Sequence, residues 1–135
     1  MSSIPGRCLC GAVTFTLTLP FERFMVCHCS RCRRTNGSAF ATNLFARSHQ
    51  LRWLTGEAEV QRFDLPEAPR FSNCFCRHCG SPVPRLSRDG SHVVVPAGTL
   101  DGDPQIRPQA RIYWGDRACW HDAIAEQEHY DGYPE

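Results

Sequence analysis

The chemistry of this sequence is concentrated in its cysteines. Nine occur in 135 residues, and seven of them form three tight groups. Cys8-Leu9-Cys10 is a CxC followed by Gly11. Cys27-His28-Cys29-Ser30-Arg31-Cys32 is a CxCxxC, and Cys76-Arg77-His78-Cys79-Gly80 is a CxxCG. In a CxxC the chain turns so that both sulfurs reach one ion, and the glycine behind it tolerates a positive φ. In a CxC on extended chain, residues i and i+2 point to the same side, so their sulfurs converge. The CxCxxC combines both arrangements in one short segment.

Ligand arithmetic limits the partition. Structural zinc sites take four ligands, whereas catalytic ones take three and keep a position open. The CxCxxC fills three positions alone; the CxC and CxxC together fill four. The expectation is therefore two Zn²⁺ per chain: a closed site from Cys8, Cys10, Cys76 and Cys79, and an open, catalytic one from Cys27, Cys29 and Cys32. The first ties the N-terminal region to the middle of the chain and should hold the fold together. The second is local, which favours a functional role. Cys74, His28 or His49 could complete it as a fourth protein ligand. Otherwise Cys74 and Cys119 stand alone and read as small buried hydrophobes.

Around the second cluster lie other groups with two readings each. Arg31, Arg33 and Arg34 are either a solvated face or a carboxylate-recognising patch for an anionic thiol. His28, His49 and His121 can move a proton, or can be surface and packing residues. Thr35, Asn36 and Ser38 can hydrogen-bond a substrate, or can simply shape a turn.

Composition narrows the classes. All 15 basic residues are arginine, which excludes lysine Schiff-base chemistry. Fourteen acidic residues balance them to a formal net charge of +1, so no broad nucleic-acid-binding face is expected. The apolar runs Phe24–Val26 and Val93–Val95 fall far short of the roughly 20 residues a membrane helix needs. Met1–Arg7 lacks the apolar stretch of a secretory leader, and an odd cysteine count disfavours a disulfide framework. The expectation is a cytoplasmic chain with reduced thiols, organised as one domain over 1–135.

The elements that must position the cysteines read as mainly β, with ten prolines and ten glycines as punctuation. Gly11–Leu19 alternates apolar and hydroxyl residues as a half-buried strand does, and Phe21–His28 is its expected hairpin partner. Ser30–Gly37 reads as a short helix or turn. Further strands are predicted over Ser38–Ala46, Leu51–Leu54, Glu59–Leu65, Arg70–Cys76, Val83–Ser87 and His92–Pro96. Ala118–Gln127 has weak helical character, and Glu126–Glu135 reads as polar surface chain.

The motifs, in this order, resemble the family of glutathione-dependent formaldehyde-activating enzymes and their centromere-protein-V-like relatives. The resemblance rests on Gly6-Arg-Cys-Leu-Cys-Gly-Ala-Val-Thr-Phe15, on Cys27-His-Cys-Ser-Arg-Cys-Arg33 with Gly37-Ser-Ala-Phe40, and on Phe75-Cys-Arg-His-Cys-Gly80. Pro96-Ala-Gly-Thr-Leu-Asp101 and Trp120 extend it over most of the chain, in the form of a short, core-only member. It implies a β-tent of stacked antiparallel sheets stapled by zinc. It also implies the same division of ligands: Cys8, Cys10, Cys76 and Cys79 structural, and Cys27, Cys29 and Cys32 catalytic. The implied activity joins glutathione, or a similar small thiol, to formaldehyde or another aldehyde, formally a carbon–sulfur lyase reaction. The rival is a non-catalytic, zinc-stabilised protein-binding module of the same fold. Nucleic-acid binding ranks third, with the Arg31–Arg34 run as its support.

Overall fold

The computed structural model of the chain describes residues 2–134. Ten strands and one short α-helix follow in order. They are β1 (Ser3–Arg7), β2 (Thr14–Thr18), β3 (Arg23–Cys27), α1 (Ser30–Asn36), β4 (Ala41–Arg47), β5 (Leu51–Thr55), β6 (Val60–Asp64), β7 (Ser72–Cys76), β8 (Arg85–Leu86), β9 (His92–Pro96) and β10 (Ala110–Ile112). They form the stacked sheets expected of a β-tent: a three-stranded sheet β1-β2-β5, a five-stranded sheet β10-β3-β4-β9-β8, and a two-stranded ribbon β6-β7. All pairings are antiparallel except β10 with β3. No helix among the described residues is long and apolar enough to cross a membrane.

Strand alternation builds the core. On β2, Phe15 and Leu17 are fully buried while the threonines between them are half-exposed. They pack with Leu44 and Ala46 of β4 and Val93 and Val95 of β9, so the core lies between the two larger sheets. Cys74 and Cys76 of β7 join that same cluster. Arg62 fastens the ribbon to the five-stranded sheet by donating from Nη1 to the Leu86 carbonyl at 2.8 Å.

Three elements differ from expectation. Phe21–His28 does not pair with β2. The chain leaves the three-stranded sheet at Pro20 and enters the five-stranded one, where β3 pairs with β4 and β10. The two flanks of β2 are instead taken by β1 and β5. β1 escapes sequence reading because Pro5 and Gly6 sit in it. It is an edge strand, where a missing N–H is tolerated, and Gly6 lets it lie against Phe15, whose ring would be 2.6 Å from an added Cβ. β10 has only three residues and no alternation of its own. In the Ala118–Gln127 region the helix is of 3₁₀ type, His121–Glu126. The chain from Gln127 to Pro134 is exposed and forms no regular element, as the polar reading expected, while Glu135 lies outside the described residues.

One turn is held by steric necessity. Gly56, at the end of β5, has φ +74°, and an added Cβ would sit 2.1 Å from the Ala12 carbonyl oxygen, beside the first CxC. Gly90 has a similar φ of +77° but open space around it. Gly56→Ala is expected to cost about 2 kcal/mol or more, a drop of roughly 5–10 °C in melting temperature. Gly90→Ala, carrying only the backbone strain, should lose clearly less. Equal thermal shifts for the two variants would show that the Ala12 contact does not constrain the turn.

Candidate metal centres

The four cysteines at the ends of β1 and β7 converge. The sulfurs of Cys8, Cys10, Cys76 and Cys79 all lie within 4.8 Å of one another, with Cys8–Cys10 at 3.6 Å and Cys10–Cys76 at 3.9 Å. Four thiolates around one zinc at about 2.3 Å would have sulfur–sulfur spacings near 3.8 Å, so the donor set fits that ion. Two tight turns bring them together. After β1, the Gly11 N–H bonds the Cys8 carbonyl at 3.2 Å and the Val13 N–H donates to Cys8 Sγ at 3.3 Å. After β7, the Gly80 N–H bonds the Cys76 carbonyl at 2.8 Å and the His78 N–H donates to Cys76 Sγ at 3.4 Å. N–H groups aimed at sulfur favour the thiolate. The Ser81 side chain, 3.3 Å from Cys79 Sγ, holds that thiol down at about 5. Cys8 and Cys76 are buried, whereas Cys10 is exposed.

The second group forms where β3 runs into α1. Cys27 ends the strand, Cys29 is the N-cap residue, and Cys32 sits in the first turn, with the Cys32 N–H donating to Cys29 Sγ at 3.3 Å. Gly37 closes the helix in the left-handed conformation, φ +61°. The three sulfurs again lie within 4.8 Å of one another. Cys27 and Cys32 are buried and Cys29 is half-exposed. A hydrogen bond from the Cys32 thiol lowers Cys27 to about 6, and the same pairing pushes Cys32 well above the ordinary thiol range. Within the cluster, that pairing favours the thiolate on Cys27. This group also fits zinc, with three donors.

No fourth Cys, His, Asp or Glu among the described residues joins these three. Cys74 belongs to the main core. His49 lies past the far end of β4 from Ala41, the residue opposite Cys27, roughly 20 Å away at about 3.3 Å per residue. His28 has no exposed surface, and it is not one of the groups gathered with the three sulfurs. Its Nε2 accepts from Arg111 Nη1 at 3.0 Å, and the same Nη1 donates to His121 Nε2 at 3.0 Å. Phe40 and Trp114 pack around this pair, with the Arg111 guanidinium 5.7 and 5.4 Å from their ring centres. Burial, then the charges of His121, Arg111 and Arg117, hold His28 below its usual pKa. Together with the His28 N–H bond to the Ile112 carbonyl at 3.0 Å, this cluster fastens β10 behind the cysteine loop. His28 and His121 thus pack into this cluster, with His28 Nδ1 buried and without a hydrogen-bond partner among the described residues.

The three thiols open onto a cavity of about 500 Å³. Of the arginine run only Arg31 lines it. Arg34 is exposed, and the half-buried Arg33 sits with Arg34 in the last helical turn. Thr35 and Asn36 bond back to the carbonyls of Arg31 and Cys32, the turn role, and Ser38 is exposed. Cys119 is exposed, not buried as its isolation suggested, because it lies in the loosely packed chain after β10. Sequence reading missed most of the wall, including Arg70, Phe71, Arg85, Tyr113 and Asp116. None lies in a motif, and their proximity comes from sheet register and from the fold-back after β10.

A mainly-β scaffold with a four-thiol and a three-thiol cluster defines a class of protein able to hold two metal ions in thiolate cages. The sequence model of the family described as glutathione-dependent formaldehyde-activating enzyme matches residues 3–116, and the chain belongs to that family. No protein of curated function matches it. Among solved structures it is similar to a Rhodobacter sphaeroides protein, with 26% identity and a TM-score of 0.60. That alignment covers 79% of this chain and 97% of the other.

Proposed function

We propose that this chain is a zinc-dependent carbon–sulfur lyase acting on the adduct of a small thiol and an aldehyde, glutathione and formaldehyde being the first pair to test. Cys8, Cys10, Cys76 and Cys79 hold a structural zinc, and Cys27, Cys29 and Cys32 hold a second with a position left open, within one cytoplasmic domain over 1–135. The observation that carries this reading is a three-thiol cluster with no fourth protein donor among the described residues, facing a cavity large enough for a small molecule.

Cys27, Cys29 and Cys32 would hold zinc, which when bound would supply a position for a thiol as its thiolate. The rest is positioning by the chain. Phe71 and Tyr113 wall the cavity, and Arg31 and Arg85 give it a positive field that favours an anionic thiol. In the synthetic direction the substrate sulfur forms a bond to the aldehyde carbon, and the carbonyl oxygen takes up the proton the thiol has lost. Asp116 is the carboxylate on the cavity wall and relays that proton. Holding sulfur and carbon in contact can supply on the order of 7 kcal/mol of the barrier lowering, and hemithioacetal chemistry needs little more.

Exchange NMR on mixed glutathione and formaldehyde, with zinc-loaded protein, tests this. Interconversion of free and adduct glutathione is expected to accelerate at least about tenfold. An unchanged rate with both ions bound, for this pair and for simpler thiols and aldehydes, would leave a non-catalytic zinc module.

A further inference from the structure

Around the end of β10 the chain accepts two local costs. The first is backbone strain. Tyr113 has φ +55° and ψ +40°, the left-handed region that a bulky side chain rarely enters. Gly115, two residues on, would take that conformation freely, yet it has no positive φ. Packing does not demand the strain either, because Tyr113 is 63% exposed. The second cost is an unpaired buried donor. Arg111 can only donate, so His28 Nε2 accepts from it. The neutral ring then carries its proton on Nδ1, which has no partner among the described residues.

Both costs hold one short segment in place. Ile112 of β10 lies opposite Cys27, so the chain leaves the sheet beside the three thiols. Arg111, shared between His28 and His121, ties down the near side of the turn that follows. On the far side the Arg117 guanidinium lies 4.4 Å from the Trp114 ring centre and donates to the Trp114 carbonyl at 3.1 Å. The Asp116 N–H closes the turn on the Tyr113 carbonyl at 3.0 Å. Trp114 packs against His28 and His121, whereas Tyr113 lines the cavity with Cys27, Cys29, Cys32 and Asp116. Gln105, the other non-glycine residue with a positive φ among the described residues, at +61°, lies outside that wall.

Strain kept at an exposed tyrosine on the rim of a reactive cavity points to a use for its side chain. Thiol–aldehyde chemistry supplies one. As sulfur bonds the aldehyde carbon, the carbonyl π pair moves onto oxygen, and negative charge builds there before a proton arrives. A deprotonated carboxylate at Asp116 accepts hydrogen bonds but cannot donate one to that oxygen. A phenol is a neutral donor, and donors placed where an oxyanion develops are among the most effective catalytic groups.

We infer that Tyr113 is a further catalytic residue of the three-thiol cavity, its phenol O–H donating to the aldehyde-derived oxygen as the carbon–sulfur bond forms or breaks. The inference rests on the thiol-adduct reading above and adds the oxyanion contact to it. The phenol keeps its own proton throughout. The proton that ends on the oxygen is the one the thiol has lost, relayed by Asp116.

Tyr113→Phe removes the hydroxyl and keeps the ring and the backbone. Exchange NMR over a range of glutathione and formaldehyde concentrations, on zinc-loaded protein, is expected to show kcat at least about tenfold lower. KM for the thiol should not change, as for a contact made only in the transition state. Melting temperature and zinc content should match the parent, which separates this role from a structural one. Tyr113→Gly removes the strain as well, so it should lose the same rate or more while melting no lower than the parent. Gln105→Gly relieves strain elsewhere and should keep the full rate. An unchanged kcat in Tyr113→Phe would overturn the role, as would a Tyr113→Gly variant that loses stability in step with rate. A fully active Tyr113→Phe beside an active parent leaves the lyase reaction standing without this donor. A parent inactive toward every thiol–aldehyde pair would sink reaction and role together.

Discussion

Cys76→Ser is expected to leave the protein largely unfolded at 25 °C, with neither a cooperative thermal transition nor bound metal at the four-cysteine site. The reasoning starts from topology. Cys8 and Cys10 follow β1, while Cys76 ends β7, so an ion held by all four closes a loop of some 70 residues. A covalent cross-link over such a loop would be worth about 4 kcal/mol in the chain-entropy account. Structural zinc in small domains contributes an apparent 10–16 kcal/mol or so, and total stabilities are only about 5–15 kcal/mol. Cys76 is also fully buried and sits in the main core, so the serine hydroxyl would lie among apolar neighbours. Circular dichroism melts and metal content per chain check the expectation. Cys10→Ser, at an exposed position, should lose less. Treating the parent with a strong chelator should reproduce the Cys76→Ser result, because the thiols would then repel or protonate without an ion between them. A cooperative melt within a few degrees of the parent in Cys76→Ser would mean that the hydrophobic core alone carries the fold.

The cysteine pattern is legible in the sequence because ligand chemistry fixes spacing locally. A CxxCG or a CxC has few other uses, and counting donors pairs the groups without knowing the path between them. Alternating strands are legible for a related reason: β2, β7 and β9 each carry their burial period in their own residues. What stays hidden is everything set by partner choice. Gly11–Leu19 and Phe21–His28 look like a hairpin across Pro20, yet their apolar faces close the core from two different sheets. Pro5 and Gly6 mask β1, because an edge position and the close approach of Phe15 are tertiary facts. Arg85 and Cys27 are 58 positions apart and line one cavity only through the register of β3, β4, β9 and β8. The same holds for His28. Its place between Cys27 and Cys29 suggests coordination, but its ring instead meets Arg111.

Cys29→Ser is expected to separate the two centres. The variant should stay folded and keep one metal ion per chain where the parent holds two, while thiol-dependent lyase activity falls at least about a hundredfold, beyond the 10–100-fold typical of losing a supporting residue. Folding is preserved for a local reason. Cys29 is the N-cap of α1, accepting from the Cys32 N–H, and serine is among the best N-cap residues. Cys29 is also half-exposed, so a hydroxyl there meets water rather than core. The cluster it leaves spans only Cys27 to Cys32, so losing its ion reopens a loop of a few residues and costs little chain entropy. Metal analysis, a thermal melt and the exchange-NMR rate on one preparation decide the matter. Unfolding of Cys29→Ser would make the three-thiol centre structural. A full rate with a single ion would place the chemistry elsewhere. The contrast with Cys76→Ser rests on one geometric difference: the first cage joins distant segments, whereas the second is folded from a single turn and can be given to a substrate.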